Sequence, residues 1–117
     1  MSFLDTPNIQ AISHALDRAA YRQMVIAQNV ANVDTPGYRT VDADFRTHLA
    51  NAAGQEEASF HAREVQGLLQ RPDGNNVSLE REGLLMAETQ LKFRTGVELL
   101  RVEFRRLQTA IQGGGGS

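Results

Sequence analysis

The sequence of 117 residues contains no cysteine and no tryptophan, and aromatic residues make up only 6% of it. Without cysteine, the chain can form neither disulfides nor thiolate metal sites. With so few aromatic side chains, it lacks the large anchors that normally fix a compact globular core. We therefore expect a single folding unit with an elongated shape.

An excess of one charge and a long apolar run are also missing. The 12 basic and 14 acidic residues are interleaved and give a net charge of -2, so no overall field attracts the chain to nucleic acid. No run approaches the roughly 18 apolar residues of a membrane span, and residues 1–10 lack the basic and apolar regions of a secretion signal. We expect neither membrane insertion nor a cleaved signal peptide.

What the sequence does contain is an apolar stripe near each end. In both stripes the spacing alternates between three and four residues, which places the side chains on one narrow face of a helix. This pattern is typical of helices that pack lengthwise against other helices. The predicted assembly seam comprises Ile9, Ile12, Leu16, Ala19, Gln23, Ile26 and Val30 in the first stripe, and Met86, Gln90, Phe93, Val97, Leu100, Phe104, Leu107 and Ile111 in the second.

Local signals indicate where both helices begin and end. Thr6 suits the N-cap of the first helix and Pro7 its first turn, and Asn32 can end it in a left-handed conformation. Ser78 suits the N-cap of the second helix, which runs toward Ile111. These signals divide the chain into an N-terminal helical segment (1–32), an irregular connection (33–77), a C-terminal helical segment (78–112) and a flexible Gly/Ser tail with the composition of an engineered linker (113–117).

The predicted fold is mainly α. Two long terminal helices pack as an antiparallel, coiled-coil-like hairpin, joined by a long irregular segment with at most short strands. Within that segment, Phe45 and Leu49 have helical spacing, and residues 60–62 alternate weakly like a strand. A connection of this length is unusual inside a compact domain, so we expect it either to pack on another molecule or to be mobile.

Two motifs flank this connection. The first is an Asn-rich helix end followed by Thr-Pro-Gly-Tyr, in which Pro and Gly suit the centre of a type II turn. It resembles the N-terminal signature of the bacterial flagellar rod and hook family. The second, before the C-terminal helix, resembles the C-terminal half of proximal rod proteins in that family, whose short length the chain shares. The motif residues are Asn29, Ala31, Asn32, Thr35, Pro36, Gly37, Tyr38, Gly74, Asn75, Asn76 and Val77.

The resemblance implies a non-enzymatic structural subunit of the flagellar basal body. Such a subunit polymerises through its terminal helices into the rod that crosses the periplasm and transmits torque. The resemblance further implies export by the flagellar type III apparatus without a cleaved signal peptide. The implied partners are the other rod proteins, further copies of the chain and the adaptor FliE, with no nucleic acid and no cofactor.

A structural interpretation of the motifs remains open beside the functional one. A plain helix stop accounts for the Asn, Pro and Gly residues, whereas Tyr38 is expected to pack on the second helix or on a neighbouring subunit. Gln23 and Gln90 either pair with each other and set the register of the helices, or lie at a wet edge of the seam. The three histidines lack the spacing of metal ligands, so no metal site is expected.

Charged residues on the helices have partners at helical spacing. Glu88 and Lys92 are four residues apart, an arrangement that stabilises a helix. Arg101 and Arg105 repel each other at the same spacing, but Glu98 lies three residues before Arg101. Glu103 precedes Arg106 in the same way. These pairs favour a solvated, self-paired face over a dedicated interface.

A different class of function also fits the pattern. A helical-hairpin adaptor or export chaperone would bind one protein partner in soluble form and would be well folded alone. A rod subunit would be poorly ordered at its ends until it associates, because two helices with narrow apolar faces bury little surface by themselves. Circular dichroism of the isolated chain distinguishes the two.

Overall fold

The computed structural model describes residues 6–44 and 60–116 of the chain. Its elements are helix α1 (Pro7–Ala31), strand β1 (Val41–Ala43), strand β2 (Ala62–Glu64) and helix α2 (Leu79–Gly116). The molecule measures 71 × 30 × 18 Å. The predicted mainly α fold, with two long packed helices and short strands between them, is confirmed.

Helix α1 begins and ends where the local signals indicate. The hydroxyl of Thr6 accepts a hydrogen bond from the Ile9 amide at 3.2 Å, and Pro7 occupies the first turn. At the other end, the prediction of a left-handed Asn32 is wrong, since its φ is -106°. The side-chain amide of Asn32 donates to the Gln28 carbonyl at 2.8 Å, and its backbone amide donates to the same carbonyl at 3.2 Å. The helix therefore ends on an asparagine with negative φ whose side chain bonds back to the last turn.

The turn after α1 has the geometry that the Pro-Gly pair favours. Gly37 has a φ of +76°, and the Tyr38 amide donates to the Thr35 carbonyl at 3.2 Å. A positive φ at the third position defines a type II turn and favours glycine there. The chain thereby reverses direction directly after the helix and enters β1.

Helix α2 starts after Ser78, whose hydroxyl accepts a hydrogen bond from the Arg81 amide at 3.3 Å. Glu80 and Glu82 lie in its first turn, where negative charge interacts favourably with the helix dipole. The helix runs on to Gly116, across most of the tail, whose flexibility stays a prediction. Neither helix in the described part of the chain has an apolar stretch long enough to cross a membrane.

The two helices run antiparallel with a defined register. Asn29 lies beside Glu82, and Leu16 lies beside Gly96. Extending this register places Pro7 near Arg105, so the end of α2 projects beyond the start of α1. The buried apolar side chains are few, as the composition predicts: Ile9, Ala19, Val25, Ile26 and Val77.

The strands form a small antiparallel pair in the connection. Val41 pairs with Glu64 and Ala43 with Ala62. Phe60, just before β2, stacks on Tyr21 of α1 with ring centroids 5.0 Å apart. The strand pattern at residues 60–62 thus leads directly into β2, whereas the helical pattern at Phe45 and Leu49 lies outside the described residues.

Candidate assembly interface

The predicted seam faces the helix contact along part of its length and solvent along the rest. Its buried members are Ile9, Ala19 and Ile26. Its partly buried members are Ile12, Leu16, Gln23, Met86, Phe93, Val97, Leu100 and Leu107. Its exposed members are Val30, Gln90, Phe104 and Ile111, of which Phe104 is 45% and Ile111 58% exposed.

Helix α1 contacts α2 along one flank of the predicted seam. The buried positions of α2 are Glu82, Thr89 and Gly96, spaced by seven residues, and Glu103 continues the row half-buried. A seven-residue repeat is the period of coiled-coil contacts. Because this row lies beside the apolar stripe rather than on it, α1 leaves the other flank of the stripe uncovered.

That uncovered flank forms an open groove of about 400 Å³ between the two helices. We call it the flank groove. Both seam glutamines lie at it, and among the described residues no hydrogen bond joins their side chains. The flank groove is lined by Gln23, Gln90, Phe93, Arg94, Val97, Glu98 and Arg101.

The ion pairs expected at helical spacing are present on α2. Arg101 contacts Glu98 at 2.9 Å, and Lys92 contacts Glu88 at 3.0 Å, which also lowers the pKa of the Glu88 carboxyl below its ordinary value. Arg106 contacts Glu103 at 3.2 Å. Within the described part of the chain, Arg94 makes no such pair. Of the two arginines at the flank groove, Arg101 is therefore neutralised by Glu98, whereas Arg94 can still pair with a carboxylate of another chain.

At the opposite end of the hairpin, the two sequence motifs come together in a buried cluster of polar side chains. Such side chains are costly to bury unless they are hydrogen-bonded to one another. We call this cluster the polar clasp. Its members are Asn29, Tyr38, Thr40, Asn75, Asn76 and Glu82.

Asn29 is the centre of the clasp and is only 1% exposed. Its amide nitrogen donates to the Val41 carbonyl and to the Glu82 carboxylate, both at 2.8 Å. Its amide oxygen accepts from the Val41 amide at 3.1 Å and from the Tyr38 hydroxyl at 2.9 Å. One side chain thus joins α1, β1 and α2 and uses its full hydrogen-bonding capacity.

Asn75 ties the second motif to the first. Its amide nitrogen donates to the carbonyls of Asn32 at 2.9 Å and Thr35 at 2.8 Å. Its amide oxygen accepts from the Val77 amide at 2.8 Å. The Asn75 side chain therefore holds the segment before α2 against the end of α1, and both of its acceptors there are backbone carbonyls.

Asn76 makes the corresponding contact with the start of β1. Its side-chain oxygen accepts from the Thr40 amide at 2.6 Å, and its backbone carbonyl accepts from the Thr40 hydroxyl at 3.2 Å. The side-chain nitrogen of Asn76 is buried without an acceptor among the described residues. Asn75 therefore binds the end of α1, and the next residue, Asn76, binds the start of β1.

The glycines of the two motifs lie against each other. The Gly37 amide donates to the Asp73 carbonyl at 2.9 Å. A Cβ built on Gly74 would lie 3.3 Å from the Gly37 Cα, and Gly74 has a φ of +88°. Both the close approach and the backbone conformation disfavour any other residue at Gly74. By contrast, Ala31, Thr35 and Pro36 of the motif are exposed.

Tyr38 packs within its own chain, on the clasp. Burial raises the pKa of its hydroxyl above the ordinary value, and the negative charge of Glu82 raises it further. The phenol therefore stays protonated at neutral pH and donates to Asn29. Its hydroxyl bonds to Asn29 of the first helix rather than to the second helix that the sequence suggested, and contact with a neighbouring subunit stays a prediction.

Sequence reasoning missed the charged residues that extend the clasp. Arg22 binds both oxygens of Asp42 on β1, at 2.9 and 3.1 Å, and Arg81 binds Glu82 at 2.8 Å. Nothing in the sequence pointed to Asp42 as the partner of Arg22. Glu82 had no visible signal either, because a glutamate in the first turn of a helix is ordinarily solvated.

The arrangement is suited to holding protein segments together rather than to chemistry. Among the described residues, no group of three His, Asp or Glu side chains could hold a metal ion. The clasp donors and acceptors are directed at one another, whereas the exposed part of the seam and the flank groove are open to solvent.

Comparison with known proteins gives consistent results along the chain. The family of flagella basal body rod proteins matches residues 9–39. The flagellar basal body rod protein FlgB of Salmonella typhimurium is 34% identical, covering 86% of this chain and 89% of that protein. FlgB of Bacillus subtilis is 30% identical, covering 91% and 94%, and FlgB of Cereibacter sphaeroides is 32% identical, covering 79% and 84%.

Proposed function

Because this chain belongs to the FlgB family of flagellar basal body rod proteins, we propose that it polymerises through its terminal helices into the proximal rod. In that role the assembled subunits form the shaft that transmits torque across the periplasm. The chain acts as a structural subunit and catalyses no reaction.

The observation that carries this proposal is the part of the seam that no other element covers within residues 6–44 and 60–116. Phe104 and Ile111 continue the stripe at its three- and four-residue spacing, yet they lie where α2 reaches the start of α1 and passes beyond it. An apolar stripe of coiled-coil spacing gains stability when another helix covers it. The end of α2 is thus suited to pack against a neighbouring subunit.

Torque transmission follows from the shape of such contacts. An open helical array requires one surface of each subunit to meet a different surface of the next. Long helices in a staggered array spread a twisting load over many side-chain contacts. The polar clasp favours this role because it holds the helices at a fixed register at one end of each hairpin.

The proposed partners are the other rod proteins and FliE. The proposed route to the rod is the flagellar type III export apparatus, without removal of a signal peptide. These proposals rest on membership of the family and on the resemblance of the two motifs to those of rod proteins.

A single charge on the exposed seam tests the proposal. Ile111→Asp places a carboxylate where a neighbouring helix would cover it, which is costly in an apolar contact. Ile111 is 58% exposed in the isolated chain, so the variant is expected to fold normally but to lose swimming and to be absent from purified basal bodies. Gln112→Asp adds the same charge one position off the seam and is the control.

The two variants are compared with the unaltered chain in bacteria that lack their own copy of the protein. Thermal unfolding of the purified variants checks that the fold is intact. Normal swimming and normal incorporation of Ile111→Asp would refute assembly through this part of the seam.

A further inference from the structure

We infer that the flank groove is a docking site for an amphipathic helix of another rod component, one that carries acidic side chains beside its apolar stripe. This inference rests on the proposed assembly function and specifies the chemistry of one partner surface.

The first step is the shape of the groove. Its floor contains Phe93 and Val97, which belong to the seam but lie on the flank that α1 leaves open. Helices that pack lengthwise do so along such a narrow row at coiled-coil spacing. A third helix lying in the flank groove would cover Phe93 and Val97, which α1 leaves partly exposed.

The second step is the charge at the rim. Arg94 and Arg101 are seven residues apart on α2, so they follow the row of Phe93 and Val97 along the same flank. In coiled coils the residues flanking the apolar row select the partner by charge. Arg94 has no ion pair within the described part of the chain, whereas Arg101 is ion-paired with Glu98. The rim therefore favours an acidic partner.

The third step excludes a symmetric contact in which two copies of this chain meet through the same groove. In a two-fold contact the grooves of two copies would face each other, each with a net positive charge from Arg94, Arg101 and Glu98. Like charges opposed across an interface are strongly unfavourable. The occupant is therefore a different surface, and acidic residues on it would relieve the positive rim.

The fourth step concerns the two glutamines at the groove. Gln23 and Gln90 interrupt the apolar row at the edge where the third helix would lie. A polar residue at such a position fixes the register of helices, because only one alignment gives it a hydrogen-bonding partner. The partner helix is accordingly expected to carry one polar side chain within its own apolar row.

A narrow groove with this polar edge also favours a protein helix over a lipid surface. A helix that lies on a membrane buries a broad apolar face, whereas here α1 covers one flank of the stripe and glutamines border the other. Binding to anionic lipid is nevertheless a separate outcome that the experiment can detect.

The experiment measures binding of two designed helical peptides to the full chain by fluorescence anisotropy. Both peptides have the same apolar row with one glutamine, and they differ only in carrying glutamate or lysine at the flanking positions. We expect the glutamate peptide to bind at least about tenfold more tightly than the lysine peptide. The variant Arg94→Glu/Arg101→Glu should lose or invert this preference.

A second double variant controls for net charge. Lys92→Glu/Arg106→Glu changes the charge by the same amount on the same helix, at ion-paired positions outside the flank groove. It should keep the preference for the glutamate peptide. Thermal unfolding of both variants verifies the fold.

Equal affinity for the two peptides, or binding of neither, would overturn the assignment of the groove. Binding of the unaltered chain to vesicles of phosphatidylcholine and phosphatidylglycerol, without binding of either peptide, would overturn it in favour of a lipid surface. Incorporation of the unaltered chain into basal bodies is measured separately, so the rod function can stand even if the groove assignment fails.

Discussion

At the scale of single residues, the buried positions of this protein are mostly polar. Asn29, Asn75 and Glu82 are almost fully buried, and each is held by hydrogen bonds to other elements. Directional bonds of this kind specify one arrangement of the chain, since a shifted arrangement would leave buried donors and acceptors without partners. The few apolar core residues could not specify the register as strictly.

Asn29→Asp tests this role of the clasp. The new carboxylate would face Glu82, whose oxygen lies 2.8 Å from the amide nitrogen that it replaces. Two buried carboxylates repel each other, and we expect a loss of about 3 to 5 kcal/mol in the free energy of unfolding. Urea denaturation at neutral pH measures the change.

The double variant Asn29→Asp/Glu82→Gln is the matched control. The glutamine amide can donate to the new aspartate, so part of the lost stability should return. If Asn29→Asp unfolds at the same urea concentration as the unaltered chain, the clasp does not stabilise the fold.

The sequence indicated the asparagines of the clasp but not their partners. Asn29, Asn75 and Asn76 stand out because they belong to motifs that resemble those of rod proteins. Glu82 and Asp42 do not, since their contacts with Asn29 and Arg22 depend on how α2 and β1 are placed against α1, which a one-dimensional pattern does not encode. A left-handed Asn32 was expected from its intrinsic preference, but its φ is -106° and its side chain bonds back to the Gln28 carbonyl.

At the scale of elements, the three- and four-residue spacing predicted both helices and their pairing. It did not predict which flank of α2 would meet α1. On α2, the contact with α1 lies along the row of Glu82, Thr89 and Gly96, because these positions offer hydrogen-bonding groups or little bulk. The missing side chain at Gly96 leaves room for the side chain of Leu16.

Gly96→Ala tests the close contact of the helices. A Cβ at this position would lie 2.7 Å from the Leu16 Cδ2, so the leucine must move. We expect a loss of about 1 kcal/mol in stability despite the better helix propensity of alanine. Gly83→Ala, where a Cβ would meet nothing within 4 Å, should instead stabilise by roughly 0.5 to 1 kcal/mol.

Thermal unfolding of both single variants measures these effects. In a Leu16→Ala background the crowding disappears, so Gly96→Ala should become neutral or stabilising. A stabilising effect of Gly96→Ala with Leu16 present would show that the helices are not in close contact at this point.

At the scale of the whole molecule, the two ends of the 71 Å hairpin differ in character. One end contains the clasp, the paired strands and the tight turns. The other consists of the start of α1 and the part of α2 that extends past it. The composition predicted an elongated shape, but the concentration of tertiary contacts at one end was not visible in it.

Hydrogen exchange should reveal this difference in the isolated chain. Amides near Asn29 and Glu82 should exchange slowest, because opening them requires breaking the clasp. Amides from residue 107 to the end of α2 should exchange faster than those in the middle of the helix, since α1 does not support them. Mass spectrometry of exchanged peptides measures both, and uniform protection along α2 would contradict the assigned difference.

The pairing of β1 with β2 also affects how the protein can change over evolution. Because Ala43 and Ala62 are partners, the stretch between them leaves and rejoins the body at neighbouring points. The entropic cost of joining the ends of a chain segment rises by only about 0.6 kcal/mol for each doubling of its length. Insertions or deletions between Ala43 and Ala62 are therefore expected to cost the helical scaffold little stability.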